Sequence, residues 1–321
     1  MKFYETHFEE YVHNNETLHP KLLKLYKTFP KNIYELNNLI FFGPNGTGKY
    51  TQMLQSIKKY SPSELKYEKK ISITHNDLSF FFKISDIHYE IDLSLLGCNS
   101  KLLWHEIYQQ IIDIISAKTE KYGVIVCKNF HEIHNELLDI FYSYMQKNTG
   151  SPVQLTFILI TEELSFIPNN IINCCKVINV SRPSKSNYAK CIKNNTIIKN
   201  VKLENITNIK LLHLNNEELL LPYKVICDKI IHTLININEL QYLQFREMLY
   251  DIFIYNLNIN DCIWYILSTL VYQHVFQKDQ FAQILKKTFC FFQYYNNNYR
   301  PIYHLEYYLL YLAQNIHNYN K

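Results

Sequence analysis

The stretch Phe41-Phe42-Gly43-Pro44-Asn45-Gly46-Thr47-Gly48-Lys49-Tyr50-Thr51 constrains this chain more than any other. An apolar run before it, Leu39 to Phe42, reads as a short buried strand, and Gln52 to Ile57 after it reads as a helix. Strand, glycine-rich loop and helix is the setting a phosphate-binding loop needs. Glycines let backbone N–H groups turn inward, the helix start adds the positive end of its dipole, and Lys49 adds a full charge. The chain has six glycines and places three of them here, at Gly43, Gly46 and Gly48, a concentration that calls for a backbone reason. Gly43, Pro44, Asn45, Gly46, Thr47, Gly48, Lys49, Tyr50 and Thr51 are therefore the candidate nucleotide-binding residues, with ATP or ADP as the expected ligand. One position departs from the pattern. The residue after the lysine is normally Ser or Thr, whose hydroxyl holds Mg²⁺; here it is Tyr50. Thr51 comes one later, and whether it takes over that role is open at this point.

Hydrolysis needs a second apolar strand ending in acid, to order the metal and polarise water. Gly123 to Cys127 is a strand of the right kind, but it runs into Lys128-Asn129. Lysine cannot bind Mg²⁺ and asparagine cannot act as a general base, so efficient hydrolysis is not expected. Glu90 and Asp92 lie on another strand, His88 to Leu93, and are expected at the surface. His131-Glu132-Ile133-His134 is one residue short of H-E-x-x-H. It lacks the spacing that puts two histidines on one zinc, and no metal site is expected there. Trp104, Tyr108, Tyr307, Tyr308 and Tyr311 fall at helical spacing and are expected in cores.

Residues 1–38 read as a mostly helical lead-in. Ile71 to Ile84 is β-rich, with Phe80 to Ile84 a strand. A helix is expected from Ser100, as N-cap, to Lys118, with Leu103, Ile107, Ile111, Ile114 and Ile115 on one face. Another helix carries Leu137, Leu138, Phe141 and Met145, and Leu155 to Ile160 is a further strand. Such alternation predicts a parallel α/β sheet. Residues 181–221 are polar and rich in Asn and Lys, and read as a small helical lid. From Tyr223 to Tyr299 there is no proline and no glycine, so residues 222–321 are expected to be all-helical. The domains expected are thus 1–180, 181–221 and 222–321.

The net charge of +4 permits a polyanionic partner without requiring one. The eight cysteines show no paired metal spacing. With no signal peptide they read as reduced thiols in an intracellular, non-secreted protein. No apolar run approaches the roughly 18 residues that would cross a membrane. Arginine occurs only at Arg182, Arg246 and Arg300. That scarcity argues against phosphotransferases that clamp phosphates with several arginines.

The order of these pieces resembles the small subunits of replication factor C, the AAA+ clamp loader. Within them it is nearest the eukaryotic branch that keeps a phosphate loop but hydrolyses poorly. Gly48-Lys49-Tyr50-Thr51 resembles that branch's G-K-x-T variant. His88 to Asp92, followed by Gly97 to Lys101, resembles the strand and loop before the helix that faces DNA. Lys128 to Gln146 is similar to the segment that begins at the Walker B acids, and Leu159 to Cys175 to the sensor-1 strand and Ser-Arg-Cys box. Ile302-Tyr303-His304-Leu305-Glu306 is similar to the branch's C-terminal A-I-Y-H-L-E.

The resemblance implies an AAA+ P-loop sheet with a helical lid, then a helical collar. It implies a subunit that binds ATP or ADP and hydrolyses it poorly or not at all. Its implied partners are other clamp-loader AAA+ subunits, the sliding clamp and primer–template DNA, in a nuclear or cytoplasmic replication site. The Asn, Ile, Lys and Tyr bias is compatible with a viral source. Residue by residue, Walker A falls on Gly43, Gly46, Gly48 and Lys49, and the Walker B acids on Lys128 and Asn129. The sensor-1 asparagine falls on Thr161, the arginine finger on Cys174, and a DNA-phosphate contact on Lys101. Two other classes stay in view: a nucleotide-kinase-like phosphotransferase, and a nucleotide-free scaffold with a vestigial loop.

Overall fold

The computed structural model describes residues 7–12, 17–75, 78–97, 99–146, 152–191, 222–236, 241–255, 257–295 and 300–317. The chain divides into two compact units, residues 1–213 and 214–321.

The first unit begins with helices α1 (Phe8–Val12) and α2 (Pro20–Lys27), ahead of strand β1 (Asn38–Phe42) and helix α3 (Lys49–Ile57). A hairpin, β2 (Lys69–His75) and β3 (Leu78–Ile84), and strand β4 (His88–Asp92) precede helix α4 (Ser100–Ser116). Then come β5 (Tyr122–Lys128), α5 (Asn135–Met145), β6 (Gln154–Thr161), α6 (Asn169–Asn173), β7 (Cys175–Asn179) and α7 (Lys185–Cys191). One seven-stranded sheet has the order β2-β3-β4-β5-β6-β1-β7. The five strands β4, β5, β6, β1 and β7 pair in parallel, and β2 and β3 extend the sheet antiparallel at one edge.

The parallel strands are apolar runs because both sheet faces are covered. Alternate residues feed two cores. Ile40, Ile125, Cys127, Phe157 and Leu159 join Trp104, Ile107, Ile111, Leu137 and Phe141 from α4 and α5. Leu39, Phe41, Val124, Val126, Ile158 and Ile160 join Met53, Leu54 and Ile57 from α3. One strand thus anchors helices on both sides through the period-two alternation of its side chains. Trp104 lies in the core, its ring 5.1 Å from that of Phe141.

Helix α4 starts one residue earlier than expected: Asn99 occupies the N-cap position and Ser100 is the first helical residue. Strand β7 was not read from the sequence. Val177 on it is exposed and Ile178 buried, so no continuous apolar run marks it. Of the expected lid, α7 is described, while residues 192–221 lie outside the described residues.

The second unit is helical in its described residues: α8 (Pro222–Ile235), α9 (Tyr242–Ile254), α10 (Ile259–Tyr272), α11 (Phe281–Tyr295) and α12 (Pro301–Ile316). Its core gathers Ile230, Phe245, Leu249, Ile263, Ile266, Leu305, Leu309 and Leu312. Glu306 is buried and held by Arg246 and Tyr242, which answers the cost of burying a carboxylate. Tyr308 is in the core and hydrogen-bonds Thr288 at 2.7 Å, but Tyr307, expected beside it, is 62% exposed. Two residues adjacent in a helix point about 100° apart, so both cannot face one core. Among the described residues no helix is long and apolar enough to cross a membrane.

Candidate nucleotide-binding site

The phosphate loop joins β1 to α3 at the carboxyl ends of the parallel strands, where open α/β sheets bind ligands. A cavity of about 520 Å³ lies there. Asn45, Gly46, Gly48, Lys49 and Tyr50 line it from the loop and α3. Glu90 and Asp92 line it from β4, and Lys128 and Asn129 from the end of β5. Ile160 of β6, Glu162 after it, and Tyr11 and Lys83 complete it.

Three glycine positions are explained by the backbone. A Cβ on Gly43 would sit 2.2 Å from the Val180 carbonyl oxygen. That close approach is fixed by the chain leaving β7, where Val180 N–H donates to the Phe42 carbonyl at 2.7 Å. Gly46 and Gly48 have φ of 72° and 85°, the left-handed region. Left-handed glycines and a lysine at a helix start are features a phosphate-binding loop uses, so the residues present are compatible with a phosphate group.

Lys49 Nζ donates to the carbonyls of Gly43 (2.7 Å) and Pro44 (2.9 Å) and to Glu162 Oε1 (3.4 Å). Burial lowers its pKa, Glu162 opposes that, and Arg182 adds to the lowering. Arg182, within the first unit, thus stands close enough to Lys49 to oppose its charge. Gly43, Pro44, Thr47 and Thr51 are not among the cavity walls. Thr47 shapes the loop: its hydroxyl donates to Pro44 O at 2.9 Å, and its own carbonyl accepts from His19 Nε2 at 2.6 Å. Next to His19, the Leu18 carbonyl accepts from Asn187 Nδ2 of α7 at 3.0 Å.

Glu90 and Asp92 are not surface residues. Glu90 is 2% exposed, and Asp92 is half-buried in the cavity wall. Register explains it: Glu90 pairs with Val126 and Asp92 with Lys128, on the α3 side of the sheet. Tyr50 Oη donates to Glu90 Oε1 at 2.7 Å, His88 Nε2 lies 3.2 Å from the same oxygen, and Lys128 Nζ is 3.7 Å from Oε2. Burial alone would raise the Glu90 pKa; His88, then Lys128 and Tyr50, outweigh it, and the net shift is downward. Burial and Glu90 push the Tyr50 phenol up. Asp92 Oδ1 accepts from Asn129 Nδ2 at 2.9 Å and from Ser94 N and Oγ at 3.2 and 2.6 Å. A signal for Glu90 existed in the sequence: His88, Glu90 and Asp92 recur at every second residue, one face of a strand.

Ser85, His88 and Glu90 form a hydrogen-bonded row that resembles a catalytic relay. Ser85 is 1% exposed, and its Oγ caps the turn by accepting from the N–H groups of Ile87 and His88. No substrate reaches it, so its role is structural. His134 accepts from Glu136 N–H at the start of α5, and His131 sits in the preceding turn. Among the described residues no group of three His, Cys, Asp or Glu can hold a metal ion.

The other positions singled out by resemblance are scattered. Thr161 ends β6, fully buried, and its hydroxyl donates to Glu163 O at 2.6 Å. Lys101 is exposed on the first turn of α4. Cys174 lines a separate cavity of about 840 Å³ at the amino ends of the strands, with Tyr108, Tyr122 and Tyr142. It lies 3.9 Å from Cys175 Sγ, and a thiol has neither the charge nor the fork of a guanidinium.

No protein-family model and no curated protein matches this sequence. Among solved structures, the chain is similar to the Thermotoga maritima RuvB Holliday junction branch migration motor. That match has 14% identity over 73% of this chain and 80% of that one, with a TM-score of 0.41. It is similar to Caenorhabditis elegans PCH-2, at 15% identity over 63% and 48% of the two chains and a TM-score of 0.35. A chain of the HORMA:CdnC:Trip13 complex of Escherichia coli MS115-1 gives 11% identity, 56% of each chain and a TM-score of 0.34. All three TM-scores lie below 0.5; what the chain itself shows is a glycine-rich loop on a parallel-dominated seven-stranded sheet, followed by a second unit that is helical in its described residues.

Proposed function

We propose that this chain is a nucleotide-holding, weakly or non-hydrolysing AAA+ subunit of a clamp loader like replication factor C. The observation that carries the nucleotide reading is the cavity itself. One wall is a phosphate loop with its lysine, and the opposite wall ends in Lys128-Asn129 where hydrolysis needs acid. ATP or ADP would lie with its phosphates against the N–H groups of Gly46 to Lys49. No carboxylate at the end of β5 is there to activate water.

The clamp-loader reading draws on the residues that resemble that family from His88 to Glu306, and on a helical second unit suited to a collar. In it the chain joins other AAA+ subunits, contacts a sliding clamp, and approaches primer–template DNA with Lys101 among its phosphate contacts. Such contacts are independent of sequence and weaken with salt. A nuclear or cytoplasmic replication site follows from that role.

Equilibrium binding of a fluorescent ATP analogue tests the nucleotide reading. Lys49→Ala should weaken binding about 10–100-fold, since a hydrogen bond to a charged group is worth about 1.5–3 kcal/mol. Equal, poor binding by wild type and variant would make the loop vestigial. Co-purification tests the assembly: recovery of a lone monomer, with no AAA+ partner and no clamp, would overturn the clamp-loader role.

A further inference from the structure

The AAA+ architecture implies Mg²⁺ beside the nucleotide, and the residues here do not fit it. A metal at such a site needs a hydroxyl after the loop lysine and an acid at the end of the second strand. Those two positions are Tyr50 and Lys128. They face each other: Lys128 Nζ lies 5.7 Å from the Tyr50 ring centroid, and both reach Glu90. The phenol is engaged as a donor, and an ammonium repels a divalent cation. Each of the cavity's carboxylates already has a polar partner. Glu90 Oε1 is taken by Tyr50 and His88, and its Oε2, which has no hydrogen bond, faces the Lys128 ammonium at 3.7 Å; Asp92 Oδ1 is taken by Asn129 and Ser94, and Glu162 by Lys49.

We infer that this site holds its nucleotide without a divalent metal, the Lys128 ammonium supplying the positive charge that Mg²⁺ supplies elsewhere. The inference rests on the nucleotide-binding reading above. Lys49 and Lys128 stand on two walls of one cavity, one on the loop and one at the end of β5. A polyphosphate entering between them meets a cation on each side. The lysine on β5 is then not merely the loss of an acid. It is a charge of the sign the ligand needs, fixed to the sheet and held by Glu90 behind it. The same placement disfavours hydrolysis, because a fixed ammonium neutralises phosphate but cannot deliver hydroxide.

The test is titration of the full chain with a fluorescent ATP analogue, in excess EDTA and in excess Mg²⁺. Equal affinity in both supports the inference. Lys128→Gln should weaken binding about tenfold in EDTA, equivalent to ~1.4 kcal/mol, while Lys128→Arg keeps it. Circular dichroism melting of each variant separates lost charge from lost fold. Binding that requires Mg²⁺ would overturn the inference and leave the nucleotide reading standing; Asp92 and Glu162 would then be the ligands. Undiminished binding by a folded Lys128→Gln would also overturn it. Absence of binding in either buffer would remove the nucleotide reading itself, and this inference with it.

Discussion

The Tyr50 phenol donates a 2.7 Å hydrogen bond to Oε1 of Glu90, joining the first turn of α3 to β4. In the sheet β4 is separated from β1 by β5 and β6, so this bond spans the cavity. Tyr50 is a departure from the usual loop, and Glu90 is the group that gives the departure a partner. Tyr50→Phe keeps the ring and removes the donor. It should cost about 1.5–3 kcal/mol, the usual cost for a hydrogen bond to a charged group. Urea unfolding of the variant measures it, and an unchanged midpoint would show that His88 and Lys128 suffice for Glu90.

Acid should destabilise this protein over two pH ranges. His19 is buried, and that lowers its pKa from 6.5 against the opposing bond to Thr47. Its contribution to stability is present above pH 6.5 and is lost as pH falls through the folded value, because the unfolded chain takes the proton first. Glu90 follows lower down. Burial raises its pKa, but His88, Lys128 and Tyr50 hold it below 4.5, so its contribution is present above pH 4.5 and lost beneath. Stability measured against pH should decline below 6.5 and steepen below 4.5. His19→Gln should flatten the first limb and Glu90→Gln the second.

Gly43→Ala should be among the costliest changes of one methyl group in the chain. The added carbon would meet the Val180 carbonyl at 2.2 Å, and that backbone is pinned by its own bond to Phe42. Overpacking of this kind costs about 1–3 kcal/mol. The readout is a lowered melting temperature together with weakened nucleotide-analogue binding. A neutral result would mean that β7 moves away freely.

Restoring a glutamate at position 129, just past β5, should be disfavoured by the backbone. Asn129 has a φ of 50°, in the left-handed region that asparagine tolerates. Both Asn129→Glu and Asn129→Gly lose the bond to Asp92, and Asn129→Glu should be the less stable of the two by about 1–2 kcal/mol from this strain. Comparing the two in thermal unfolding isolates backbone strain from loss of the bond to Asp92, since both variants lose it.

Strong local signals made much of the first unit readable in the sequence. The loop was legible because glycine is scarce elsewhere, and β1, β5 and β6 because strands covered on both faces are continuous apolar runs. Strand β7 was not: Lys176 and Val177, on opposite faces of this edge strand, are both exposed, and no run forms. Glu90 was misread because a carboxylate on a strand is usually solvated. Its burial depends on Tyr50, His88 and Lys128, and Tyr50 is forty positions away in the chain. Partners of that kind come together through sheet register, which no local pattern states. The same holds for His19, whose partner Thr47 lies twenty-eight residues on.

The bonds from Asn187 to Leu18 and from His19 to Thr47 form a line in series from α7 to the crown of the phosphate loop. A series linkage transmits displacement in both directions. Any shift of the Thr47 carbonyl on filling the loop is shared with α7, although α7 contributes nothing to the cavity wall. A pull on α7 likewise reaches the loop. On the proposed reading, the filling of the loop reaches α7 through a mechanical tie rather than a chemical step.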